Sequence, residues 1–210
     1  MPEKALMAMI TVALRWQLPH VALLLATGFV GLLRVHELRW LRFGSFLTPS
    51  RLLADGGPMF VVIEKPKMWR IAARRAYTRI GDPAVVALAE ALVGRFRADD
   101  LVFSGSYAEL HDVFAAILAE LGLPAGGPTG LGLSSLRPGG ATWLYRQTDN
   151  SELVRFRGRW ASLRMLEIYI QEVGALSVIP RLPPPTRQRL VDLAAYAPTA
   201  IANTVYELTR

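Results

Sequence analysis

Apolar residues recur at three- and four-residue intervals along most of the chain, and the places where that spacing fails mark its joints. From Glu3 to Trp16 the positions Leu6, Ile10, Val12, Ala13 and Leu14 predict a helix, which Pro19 breaks or restarts. His20 to Trp40 reads as one long, mostly buried helix. Its apolar run, Val21 to Leu33, is thirteen residues long, whereas a membrane-spanning helix needs about 20. Arg34 closes the run, so a core helix is expected and no membrane partner. The N-terminus has no short charged region leading into a cleavable apolar core, so no secretory signal is expected.

The period then changes. Phe43 to Leu47 is a short strand candidate, and Pro49 to Pro58 a loop rich in Gly and Pro. Met59 to Ile63 is a β-branched and aromatic run, hence a strand. Lys65 to Arg70 reads as a turn, with Ala76 to Ile80 as the return strand. Helical spacing resumes at Pro83 and runs to Phe96, with Asp82 as N-cap and Pro83 at the first helical position. Asp99 to Phe103 connects to a helix from Ser106 to Leu121, whose face carries Leu110, Val113, Phe114, Ile117 and Leu118. The loop Gly122 to Leu133 delivers the chain to Ser134, the expected N-cap of a helix that contains Arg137. Val173 to Ile179 suits a helix end or a short strand. Pro183-Pro184-Pro185 reads as a stiff spacer before a last helical stretch, Arg187 to Thr209. The expected boundaries are a main domain over 1–175 and a tail over 176–210.

Composition narrows the function. Apolar residues make up 52% of the 210, enough for a sizeable core. Formal net charge is +7, which favours a polyanionic partner, nucleic acid first and an anionic membrane surface second. There are no cysteines, so disulfides and thiolate metal sites are excluded. His20, His36 and His111 are far apart with no carboxylate cluster, and no phosphate-cradling glycine loop, dinucleotide fingerprint or His-Glu-x-x-His unit occurs. No metal and no cofactor are expected.

Two stretches carry chemistry. Leu133 to Glu172 holds Arg137 just before two glycines, Trp160 in Gly158-Arg159-Trp160-Ala161-Ser162, and Tyr169 nine residues further on. A guanidinium matches two phosphate oxygens, an indole N–H donates one hydrogen bond, and a tyrosine hydroxyl attacks phosphorus when cations neutralise the phosphate. The second stretch is Leu33-Arg34-Val35-His36-Glu37-Leu38, where a carboxylate three residues after an arginine shares its helix face. Arg70, Arg74, Arg75 and Arg79 form the densest basic patch, either a set of phosphate contacts or a solvated strand edge.

Taken together, these motifs resemble the catalytic domain of tyrosine recombinases (phage integrases). Ser134-Ser135-Leu136-Arg137 lies on that family's His-x-x-Arg, with serine in the histidine position. Leu136 to Thr142 is similar to its Leu-Arg-x-Gly-Gly-Ala-Thr phrase, and Trp160 and Tyr169 lie on the His/Trp and nucleophile positions. Leu33-Arg34-Val35-His36-Glu37-Leu38 matches its first box. The resemblance implies an α+β, mainly α fold with a small three-stranded antiparallel sheet. It implies a hairpin lysine, best Lys67 with Lys65 as the rival, and DNA contacts from Lys65, Arg70, Arg74 and Arg75. The implied activity is cleavage and rejoining of double-stranded DNA through a 3′-phosphotyrosine, as in the recombination and integration of mobile elements, by a homo-oligomer on DNA. The implied catalytic set is Arg34, Glu37, Lys67, Ser134, Arg137, Trp160 and Tyr169. The alternatives are a catalytically impaired DNA-binding relic of the same fold and a peripheral membrane protein. Relatives usually carry a preceding domain that closes a clamp on DNA, so the expectation is a fragment or a stand-alone remnant.

Overall fold

The computed structural model describes residues 1–64, 76–126, 130–170 and 177–210. Its centre is α2 (Pro19–Val30), a helix too apolar on every side to face water. It packs against α1 (Glu3–Arg15), α4 (Pro83–Val93) and α6 (Leu136–Thr148). Helix α5 (Tyr107–Glu120) packs against α1, and its N-terminus carries the Ser106–Glu109 capping box, each side chain accepting the other residue's backbone N–H. Asp82 caps α4 by accepting from the N–H groups of Ala84 and Val85.

The expected long helix His20 to Trp40 is in fact two. After α2 the backbone turns left-handed at Leu32, with φ of 52°. The Leu33 N–H reaches back to the Gly28 carbonyl at 3.0 Å and the Leu32 N–H to Phe29, a helix stop of the Schellman type. A short helix, α3 (Val35–Arg39), then starts after the extended residue Arg34. Apolar periodicity cannot register this break, because Leu32 and Leu33 are both buried on either side of it.

The sheet is antiparallel with order β1-β2-β3: β1 (Phe46–Leu47), β2 (Met59–Ile63) and β3 (Ala76–Ile80). Phe46 pairs with Val61, and Met59 with Ile80. Alternation along β2 sends Met59, Val61 and Ile63 into the core. Only Phe46 and Leu47 of the expected first strand are extended, since Phe43–Ser45 forms a 3-10 turn. Buried Thr78 ties β3 to the helix stop by donating to the Gly31 carbonyl at 2.9 Å.

Two further expectations are corrected near the chain's second half. Ser135, not Ser134, stands at the N-cap of α6, and its hydroxyl accepts from the Gly132 N–H within a 3-10 turn, Leu133–Ser135. The proline triplet is not a spacer. Pro183 is the N-cap and Pro184 and Pro185 the first residues of the last helix (Pro184–Thr209), where missing N–H groups cost nothing. That helix lies along α1 and α4, buries Leu190, Ala197, Ala200 and Ile201, and accepts a bond from the Thr11 hydroxyl at the Leu193 carbonyl, 2.8 Å long.

Gly140 lets α6 press directly onto α2: a Cβ there would strike the Phe29 carbonyl oxygen. The obstacle is backbone, so it cannot swing aside. Gly140→Ala is therefore expected to destabilise the fold by about 1–3 kcal/mol, the usual cost of overpacking, read as a lower urea midpoint at unchanged slope.

Candidate active site

The site forms where two helix stops of one kind meet. The first is the left-handed turn at Leu32. The second ends α7 (Ser151–Gly158): Arg159 is left-handed with φ of 59°, and the Trp160 N–H reaches back to the Arg155 carbonyl at 3.0 Å. Such positions usually hold glycine, and an L-residue there costs about 1–2 kcal/mol. Here both turns direct groups inward.

Leu32 presents its carbonyl to two guanidiniums, Arg137 Nη1 at 2.7 Å and Arg159 Nη2 at 3.3 Å. Arg137 also donates through Nη2 to the Gly158 carbonyl at 2.6 Å, so this one side chain joins both stops. Glu37 holds the other two cations. Its carboxylate accepts from the Arg34 backbone N–H (2.8 Å), from Arg34 Nη1 (3.0 Å) and from Arg159 Nη2 (2.8 Å). The Glu37 side chain is only 1% exposed, against 25% for Arg34 and 16% for Arg159.

The aromatic residues close the site from the other side. The Arg137 guanidinium lies 4.4 Å from the Trp160 ring centre and 5.7 Å from that of Tyr169. The two rings sit 5.0 Å apart, tilted by 55°. Trp160 belongs to a second small core with Leu32, Ala141, Val154 and Leu166, and Tyr169 packs at its edge. Gly158 makes room for the indole, since a Cβ there would lie inside the Trp160 ring. Tyr169 follows α8 (Leu163–Glu167) in a turn, and its carbonyl accepts from the Thr142 hydroxyl at 3.3 Å.

Among the described residues, three guanidiniums against one carboxylate leave the site strongly positive. Burial, then the charges of Arg34 and Arg159, push the Arg137 guanidinium down to about 10 from its usual 12.5. Burial also lowers Arg159, with Glu37 opposing. Arg137 Nε and Arg159 Nε and Nη1 are buried with no hydrogen-bond partner. Donors held in place and unpaired are what an anion-binding site requires.

Of the residues singled out in the sequence, Arg34, Glu37, Arg137, Trp160 and Tyr169 come together. Ser134 is exposed in the 3-10 turn before α6, and makes no hydrogen bond to the site among the described residues. Lys65, Lys67, Arg70, Arg74 and Arg75 lie outside the described residues, between β2 and β3. The basic residue Arg79 is described, and its carbonyl accepts from Arg157 Nη1 at 3.1 Å, which ties α7 to the sheet. Arg159 is the site residue that motif spacing did not single out. Its signal was present as an arginine at a helix end directly after Gly158. Among the described residues no group of three or more His, Asp or Glu could hold a metal ion, and no helix is long and apolar enough to cross a membrane.

No protein-family model matches the sequence, and no curated protein does. Solved structures match the fold. One is XerH site-specific recombinase bound to its difH substrate in a pre-cleavage complex, with a TM-score of 0.57 and 20% identity, covering 86% of this chain and 51% of that one. Another is XerH bound to palindromic difH in a post-cleavage complex, with a TM-score of 0.56 and 19% identity, covering 80% and 46%. This chain thus spans about half the length of those recombinases. The likeness shows a fold like the tyrosine-recombinase catalytic domain, mainly helical with a three-stranded antiparallel sheet.

Glu37 is the carboxylate on which two cations depend, so Glu37→Gln removes a counter-charge from an almost dry position. The expected loss is about 3 kcal/mol, the lower end for breaking a buried pair, because Arg34 keeps some solvent. Chemical denaturation of both proteins at neutral pH measures it.

Proposed function

We propose that the chain cleaves and rejoins double-stranded DNA through a covalent phosphotyrosine, with Tyr169 as nucleophile. The observation that carries this reading is the convergence of Arg34, Arg137, Trp160 and Tyr169 around the Leu32 carbonyl and Glu37, on a fold like that of DNA-bound site-specific recombinases. A cluster of guanidiniums with spare donors suits a phosphodiester, whose charge grows as the phosphorus takes a fifth ligand. The net +7 supports a DNA partner through phosphate neutralisation.

In this mechanism the Tyr169 oxygen bonds to phosphorus as its phenolic proton passes to solvent water. The bond to the 5′-oxygen breaks, leaving a 3′-phosphotyrosine and a 5′-hydroxyl. Lys67, on the β2–β3 connection, gives its proton to that leaving oxygen. Arg34 and Arg137 bind the non-bridging oxygens, Glu37 orients Arg34, and Trp160 backs the nucleophile and donates to a phosphate oxygen. A second strand's hydroxyl reverses the step, so the energy of the broken bond is kept in the tyrosyl ester. Lys65, Arg70, Arg74 and Arg75 contact the DNA backbone, and a homo-oligomer brings two duplexes together.

A second reading, a DNA-binding relic of the same fold, is favoured by one feature. Ser134, in the position the resemblance gives to histidine, is exposed and cannot carry a proton's charge at neutral pH.

A nicked suicide substrate separates the two. Wild-type protein is expected to form a covalent adduct and Tyr169→Phe none, since phenylalanine keeps the packing ring and loses only the hydroxyl. Ser134→His is expected to raise the cleavage rate by about ten-fold or more, on the scale of one acid–base group. DNA binding without an adduct from either form would leave the relic standing.

In the same binding assay, Arg74→Ala with Arg75→Ala should flatten the dependence of affinity on salt by about one unit for each phosphate that the two arginines neutralise. An unchanged slope would assign those arginines to a solvated edge.

A further inference from the structure

We infer that Arg159 is a third arginine of the phosphate site, a positioning residue that brackets Glu37 opposite Arg34 and adds counter-charge for the cleavage transition state. The inference rests on the phosphodiester-cleavage reading above. Its basis is geometry. Arg159 Nη2 bonds Glu37 Oε2 at 2.8 Å and the Leu32 carbonyl at 3.3 Å, while Arg34 Nη1 takes Glu37 Oε1 at 3.0 Å. One carboxylate is thus held from two sides, and its orientation sets that of Arg34.

Charge gives the reason for a third cation. A phosphodiester carries one negative charge, and attack by tyrosine builds a five-coordinate phosphorus that carries about two. Arg34 and Arg137 with Glu37 leave one net positive charge apart from Lys67, whose proton goes to the leaving oxygen. Adding Arg159 leaves two positive charges that no proton transfer removes. Charge matched to the transition state rather than to the bound substrate raises rate more than affinity.

Two features set Arg159 apart from a residue that merely fastens a helix end. It holds a left-handed backbone, φ 59°, that glycine would adopt without strain. Its Nε and Nη1 are buried with no partner, so the fold alone does not use the guanidinium fully. Strained backbone and unpaired donors together mark a group retained for its charge.

The test compares wild type, Arg159→Gly and Arg159→Lys. Glycine suits the left-handed turn, so this variant removes the guanidinium without straining the backbone. Lysine restores the charge without the fork. Single-turnover cleavage of a suicide substrate at saturating DNA is expected to fall on the order of 10²-fold in Arg159→Gly, to recover in part in Arg159→Lys, and to leave DNA affinity at fixed salt little changed. Cleavage at the wild-type rate in Arg159→Gly would overturn the inference, as would equal losses of rate and affinity. Orthovanadate, an oxyanion that takes five-coordinate geometry, gives a readout without cleavage. It is expected to raise the melting temperature of wild type more than that of Arg159→Gly, and equal shifts would overturn the inference. A wild type that forms no adduct would sink the cleavage reading itself, while the vanadate comparison still judges Arg159.

Discussion

The carbonyl of Leu32 is the point on which the site depends. The backbone turns left-handed there and ends α2, so the carbonyl lies past the helix's last turn. Arg137 arrives from α6 and Arg159 from the end of α7, across sequence separations of 105 and 127 residues. The Leu32 side chain meanwhile packs in the cluster around Trp160. One residue therefore sets both the polar and the apolar halves of the site. Gly140 and Gly158 serve the same end, the first by letting α6 reach α2 and the second by seating the indole.

Electrostatics then divides the labour. Glu37 neutralises one charge and fixes the directions of two guanidiniums. The fold supplies neutral carbonyls, from Leu32 and Gly158, to hold Arg137 without cancelling its charge. The result is a positive centre with its own attraction for anions, in which burial, and after it the charges of Arg34 and Arg159, lower the affinity of Arg137 for its proton. Stacking under Trp160 and Tyr169 stabilises the cation through ring faces and keeps it only 4% exposed. On the proposed reading, the same contact places the phenol beside the cations that would neutralise its target.

What could be read from the chain alone was local. The Arg34–Glu37 spacing puts the two on one helical turn, and the structure has that ion pair. The β2 and β3 runs and the Asp82 cap depend on neighbours within a few residues, and each is where the pattern puts it. The mainly helical fold with its small sheet was legible through the resemblance that the motifs carry by their order along the chain.

The rest required the tertiary structure. Apolar periodicity cannot distinguish one buried helix from two joined at Leu32, because a left-handed residue changes direction without changing hydrophobicity. The caps of α6 and of the last helix shifted because a hydroxyl or a proline is used according to the path of the backbone around it. Arg159 shows the limit most clearly. As a letter it is one of many arginines in a basic chain. Its meaning comes from a torsion angle and from a carboxylate 122 positions away. The sequence by itself determined which residues could bind an anion. Only the fold decided which of them share one, since a guanidinium's role is set by the charges within a few ångströms of it.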